Sequence, residues 1–276
     1  MMTTHTIAVP GARIAYDVRG SGPVLVLAGF PMTAGPFAAM AETLAKHYTV
    51  ITFDPRGMGR SPADDPDKGS TPERRADDVV AILDAIGADK ADLLGSSGGG
   101  ATGLALAAKR PERVGVLVAH EPPLFELLPD AAERHAVTED VIATYRSEGV
   151  RAALAKFMVD VVGHDARMGE NAVRHSSEQD LADFARLFAH ELRSTTRHVP
   201  DPAALARTRV AVGVGIDSTP LVTSRTSLAL AARLGVEPVE FPGGHGGFRT
   251  HPEEFAEVLH RTLTAQPAST EPGGSM

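Results

Sequence analysis

Residues Gly95-Ser96-Ser97-Gly98-Gly99 follow the pattern G-x-S-x-G. The apolar run Ala91–Leu94 leads into them and the helix-forming stretch Ala101–Lys109 leads out. A strand, a turn that accepts only small residues, then a helix would present a serine as a nucleophile. Such an elbow holds its serine in a strained turn at a helix N-terminus, where the dipole and free N–H groups can stabilise an oxyanion. Ser97 is therefore the candidate nucleophile, and a serine hydroxyl needs a base because it attacks poorly at neutral pH. Of eleven histidines, His245 has the best setting, in Phe241-Pro242-Gly243-Gly244-His245-Gly246-Gly247-Phe248. Its glycine-flanked loop follows the last expected strand and permits close approach of backbone and ligand. His251 precedes Pro252 and reads instead as the start of the final helix.

The third member should be a carboxylate that orients the imidazole and stabilises its charged form. Asp217, in Gly215-Ile216-Asp217-Ser218-Thr219, follows the seventh expected strand. Glu121, in Val118-Ala119-His120-Glu121-Pro122-Pro123, follows the sixth. Both sit at C-terminal strand ends before His245, so order alone leaves the two open. The oxyanion donors are expected to be the N–H of Gly98 and that of Phe30 or Gly29, from the loop Ala28-Gly29-Phe30-Pro31. Asp54 and Arg56, in Phe53-Asp54-Pro55-Arg56-Gly57-Met58-Gly59-Arg60-Ser61, are expected to brace the loops around the site.

A competing pattern overlaps the elbow. Gly98-Gly99-Gly100-Ala101-Thr102-Gly103 satisfies G-x-G-x-x-G, with Glu121 at a distance suited to a ribose-binding acid. A dinucleotide fingerprint normally opens the first βα unit of its domain, whereas several strands precede this one. It also gives Ser97 no role and leaves the Gly-His cluster unexplained, so the elbow is the better reading.

These residues need a scaffold, and the chain supplies one. Short apolar runs alternate with helical patterns, which implies a mostly parallel sheet covered by helices. Eight strands are expected, at Ile7–Val9, Arg13–Asp17, Val24–Ala28, Val50–Phe53, Ala91–Leu94, Val114–Ala119, Val210–Gly215 and Pro238–Phe241. The first two, separated by Pro10-Gly11, should form an edge hairpin. Helices are expected at Phe37–His47, Pro72–Ile86, Gly98–Arg110, Ser224–Leu234 and Pro252–Leu263. Between Pro122 and Pro202 the alternation stops and helix-like segments follow one another. Residues 122–202 are thus expected to form a helical cap over the strand ends, where ligands bind in open α/β folds. Residues 1–121 and 203–265 would be the core, and 266–276, rich in Pro, Ser, Thr and Gly, a disordered tail.

Composition excludes several classes. A net charge of −8 argues against a nucleic-acid partner. The chain has no cysteine, so disulfides and thiolate chemistry are excluded. No apolar stretch nears the roughly 20 residues of a membrane span, and Met1-Met2-Thr3-Thr4-His5 lacks signal-peptide character. A cytoplasmic protein is expected, without a membrane partner; a homodimer is left open.

Taken together, Gly29-Phe30-Pro31, the Asp54–Ser61 segment, the Ser97 elbow and Gly244-His245 resemble the α/β-hydrolase superfamily. The likeness covers nearly all of the chain outside the expected cap. One departure is Ala28, where the family commonly has a loop-bracing histidine. A closer likeness is to the fungal zearalenone lactonases, with a similar elbow and a Cys-His-Glu-Leu-Pro segment matching Ala119-His120-Glu121-Pro122-Pro123. That resemblance implies Glu121 rather than Asp217 as the acid. It does not carry the substrate over, because the lactonases are expected to use a cap tryptophan and this chain has none. The resemblance implies an α/β-hydrolase fold and a cofactor-independent serine hydrolase of a carboxylic ester or lactone, a small-molecule substrate, with no metal. C–C bond hydrolysis or perhydrolysis on the same triad, and a ligand-binding module with little turnover, are the alternatives.

Overall fold

The computed structural model describes residues 1–219 and 221–265. The expected tail at 266–276 lies outside the described residues. Eight strands, β1 (Met2–Val9), β2 (Ala12–Arg19), β3 (Val24–Ala28), β4 (Thr49–Phe53), β5 (Ala91–Ser96), β6 (Val114–His120), β7 (Arg209–Gly215) and β8 (Val239–Phe241), form one sheet. Their order is β1-β2-β4-β3-β5-β6-β7-β8. β1 and β2 pair antiparallel, as do β2 and β4, and every later pairing is parallel. Each expected strand falls on an observed one. β1 extends well before Ile7, to Met2 opposite Arg19. Its outer half is exposed, so no buried alternation marks it in the sequence.

Twelve α-helices accompany the sheet among the described residues. On the core are α1 (Ala38–Leu44), α2 (Pro72–Ala85) and α3 (Gly98–Lys109). Between β6 and β7 run α4 (Ala131–Glu148), α5 (Val150–Lys156), α6 (Ala166–His175), α7 (Glu178–Arg186), α8 (Leu192–Thr196) and α9 (Pro202–Leu205). After β7 come α10 (Val222–Leu234), α11 (Gly247–Thr250) and α12 (Pro252–Thr264). Local signals explain several boundaries. Thr71 caps α2 through Arg74 N with Pro72 in the first turn, and Ser177 with Asp180 forms a capping box on α7. Gly235, left-handed at φ 67°, ends α10.

The apolar faces resolve into three clusters. One joins Val79 and Ile82 of α2, Leu104 of α3 and Leu230 of α10 to one side of the sheet. Another joins Met40 of α1 and Phe255 and Leu259 of α12 to the opposite side. The third belongs to the helical insert between β6 and β7, where Val141, Leu154, Leu181 and Phe188 pack with Phe30, Met58 and Val222 of the core. Two turns of the insert, Phe157–Val162 and Leu187–Glu191, are π-helical, a distortion often found at functional sites.

The turn from β5 into α3 is possible only because its flanks lack side chains. A Cβ at Gly99 would overlap the carbonyl of Ala28, and one at Gly95 would overlap that of Gly99. Because both obstacles are backbone, neither can swing aside. We expect Gly95→Ala to destabilise the protein by about 1–3 kcal/mol, the range for overpacking a filled core. Its denaturant midpoint should fall at unchanged m value.

Candidate functional site

Every residue singled out for chemistry lies at a strand end on one edge of the sheet. Ser97 follows β5 with φ 55° and ψ −127°, capping α3, and is half-buried. Its N–H donates to the carbonyl of His120 at 2.9 Å, tying the elbow to the end of β6. Glu121 follows β6 with φ 48°. These two are the non-glycine residues with positive φ among the described residues. Left-handed backbone costs a non-glycine residue on the order of 1–3 kcal/mol and concentrates where function demands it. Two independent sites of strain therefore mark adjacent strand ends.

Glu121 has no exposed surface. Its Oε2 lies 2.6 Å from His245 Nδ1 and accepts from Thr223 Oγ1 at 3.0 Å, while Oε1 accepts from the N–H of Gly215 at 2.9 Å. Burial alone would raise its pKa; the hydrogen bond and charge of His245 outweigh it and hold the carboxyl down to about 2. Asp217, the other candidate acid, is exposed in the turn Ile216–Ser218 that follows β7. The imidazole is thus held by Glu121.

Ser97 and His245 face one cavity, roofed by the insert. Among the described residues Ser97 Oγ makes no hydrogen bond to the imidazole, a contact that often tightens only with substrate bound. The loop after β3 brings Phe30 against the elbow: a Cβ on Gly98 would stand 2.9 Å from Phe30 O and 2.8 Å from its ring. The N–H groups of Gly98 and of the Gly29-Phe30 loop therefore belong to one corner beside Ser97. Asp54, buried, accepts from Ala34 N at 2.9 Å and from Arg60, which fixes the far end of that loop. Arg56 pairs with Asp78 in the core. Gly98, Gly100 and Gly103 of the competing glycine pattern all lie within α3.

His251 caps α12, its Nδ1 2.9 Å from Thr250 Oγ1, apart from the cavity. Among the described residues no cluster of three or more His, Cys, Asp or Glu is placed to hold a metal, and no helix is long and apolar enough to cross a membrane.

Two contributors escape sequence reasoning. Thr223, at the start of α10, bonds the acid across a separation of 102 residues, so no local pattern reveals it. His120 is completely buried, with Nδ1 3.3 Å from Ser96 Oγ and Nε2 unpartnered. Burial, reinforced by the charge of His245, lowers its pKa to about 4.

The chain belongs to the alpha/beta hydrolase fold family, whose sequence profile matches residues 22–185. It is 32% identical over 274 residues to the uncharacterized hydrolase YraK of Bacillus subtilis, covering 96% of this chain and 97% of that one. It is 27% identical over 272 residues to the zearalenone hydrolase of Bionectria ochroleuca, covering 95% and 98%. In fold it is similar to a thermophilic esterase from Thermogutta terrifontis, with a TM-score of 0.71, 23% identity, and coverage of 96% and 100%. It is likewise similar to the enol-lactonase of Burkholderia xenovorans, with a TM-score of 0.71, 22% identity, and coverage of 95% and 100%. Hydrolysis is the class of chemistry to which family and relatives point.

Two outcomes follow from this geometry. Thr223→Val removes a donor to a charged acceptor, an interaction of about 1.5–3 kcal/mol, so the hydrolytic kcat should fall roughly tenfold to a hundredfold. His120 has its ordinary value of 6.5 when unfolded and about 4 when folded. Between those values the unfolded chain binds more protons, so stability falls as pH drops below 6.5 and this loss ends near 4. Glu121, depressed from 4.5 to about 2, contributes stability that is present above 4.5 and lost as pH falls toward 2. Denaturant titrations from pH 8 to 3 should show the upper loss flattened in His120→Gln and the lower one retained.

Proposed function

We propose that the chain is a cofactor-independent serine hydrolase of a carboxylic ester or lactone, working through Ser97, His245 and Glu121. The observation that carries this reading is the 2.6 Å pairing of His245 with a buried carboxylate beside a serine held at φ 55°. A base so oriented takes the Ser97 proton as Oγ attacks the substrate carbonyl. The N–H groups of Gly98 and Phe30, or Gly29, receive the oxyanion. His245 returns the proton to the departing alkoxide, which in a lactone stays tethered to the acyl group. Water, deprotonated by His245, then attacks the acyl-enzyme and frees Ser97. Glu121 keeps the imidazole in the tautomer with Nδ1 protonated and stabilises it when charged.

The names of relatives support the ester and lactone class: a zearalenone hydrolase, an esterase and an enol-lactonase. The helical insert serves in this reading as a cap, because Phe157, Leu187 and Leu192 close the cavity above Ser97.

A fluorophosphonate probe should label the wild-type protein and fail to label Ser97→Ala. Equal labelling of the two, or none of either, removes the serine-hydrolase reading. Glu121→Gln should lower kcat by about 10⁴, the scale set by losing the orienting acid. Asp217→Asn should remain near wild type; the reverse ranking would move the acid to Asp217.

A further inference from the structure

The cavity lining includes three threonines, and their hydroxyl protons are not equivalent. Thr223 gives its proton to Glu121. Thr196 gives its own to the carbonyl of Leu192 at 2.9 Å. Thr195, on α8 and 3% exposed, instead accepts, from Arg75 Nη2 at 3.1 Å. A guanidinium has only donors, so the Thr195 proton must point elsewhere. That bond is the one Thr195 Oγ1 makes among the described residues.

Arg75 is firmly placed to impose this orientation. It is 1% exposed; Nε donates to Thr102 Oγ1 at 3.2 Å and Nη1 to Ser70 Oγ at 2.9 Å. Its guanidinium carbon stands 3.7 Å from the centroid of the Phe30 ring, and Nη1 lies 3.8 Å from Glu191 Oε2. Every nitrogen is therefore engaged, and the ring of Phe30 and the side chain of Thr195 stand between the cation and the cavity. Apart from Ser97, His245 and the threonines the lining is apolar, most of it Phe157, Val161, Val162, Leu187 and Leu192 of the insert. Among the described residues that line it, none is Asp, Glu, Lys or Arg.

Building on the serine-hydrolase reading, we propose that the site takes an uncharged acyl group with an apolar body and one acceptor oxygen, which Thr195 Oγ–H recognises. Thr195 is then a specificity-determining residue. A neutral ketone, ether or second ester oxygen can accept the one directed proton. A carboxylate there would be stripped of water and meet a single hydroxyl, with no cation free to pair with it.

The test uses three kinds of p-nitrophenyl ester of equal acyl length: hexanoate, oxohexanoates with the ketone moved along the chain, and the adipate monoester. In the wild type the best oxohexanoate should exceed hexanoate in kcat/KM by about tenfold, the scale of one hydrogen bond. The adipate monoester should fall below hexanoate by about a hundredfold or more. T195V should bring the ketone-to-hexanoate ratio near one and T195S should preserve it; should T195V not fold, T195A reads the same ratio. No ketone preference at any position, a ratio unmoved by T195V, or an adipate ester as good as hexanoate overturns the proposal. If fluorophosphonate labels Ser97 while these ratios fail, only this inference falls. If no ester turns over and nothing is labelled, the hydrolase reading falls and takes the inference with it.

Discussion

A carboxylate with no exposed surface stays ionised only if its surroundings replace the water it has lost. Glu121 meets that requirement with partners from three separate places: the N–H of Gly215 at the end of β7, Thr223 at the start of α10, and His245 in the loop after β8. Each partner needs its own element correctly seated. The charge is thus a point of convergence for the C-terminal half of the sheet, and the bond and charge of His245 hold its pKa down against burial. Orientation of the imidazole follows from that same arrangement.

On the other side of Ser97 a second buried charge organises the site. Arg75 belongs to α2 in the core, whereas Thr195 and Glu191 belong to the insert. Glu191 also pairs with Arg186 at 3.1 Å and accepts from Ser70 N at 3.1 Å. Removing one member of such a network leaves a buried charge unmatched, which costs far more than the network contributes. The insert and the core are therefore registered by ionic contacts as well as by the apolar packing around Phe30. Through the face of its ring, Phe30 links that network to the elbow at Gly98.

Much of this was legible in the sequence because it rests on short-range rules. Small residues around Ser97 declare a turn that no larger residue could enter, and the alternation of apolar runs declares the sheet. What the sequence conceals comes from contacts between distant segments. Thr223 and Glu121 are separated by 102 residues, Arg75 and Thr195 by 120, and neither pair leaves a periodic trace. The expected helix began at Ser224, one residue too late to include Thr223, because apolar periodicity fades at a capping turn. The π-helical turns of the insert were equally hidden, since one extra residue per turn follows tertiary packing rather than propensity. Choosing Glu121 over Asp217 needed a resemblance, because both lie at strand ends and no sequence pattern shows which side chain turns inward.

The two strained residues bracket a single helix–strand unit, α3–β6. His245 instead comes from beyond β8, on a loop secured by aromatic contacts: Phe248 stacks on Phe37 at 4.7 Å and Phe255 meets His120 edge-on at 5.2 Å. Ser97 and Glu121 thus belong to one short stretch of chain, whereas the imidazole reaches Glu121 across a separation of 124 residues. If Ser97, His245 and Glu121 act together as proposed, turnover reports on how well α11 and α12 pack against the sheet.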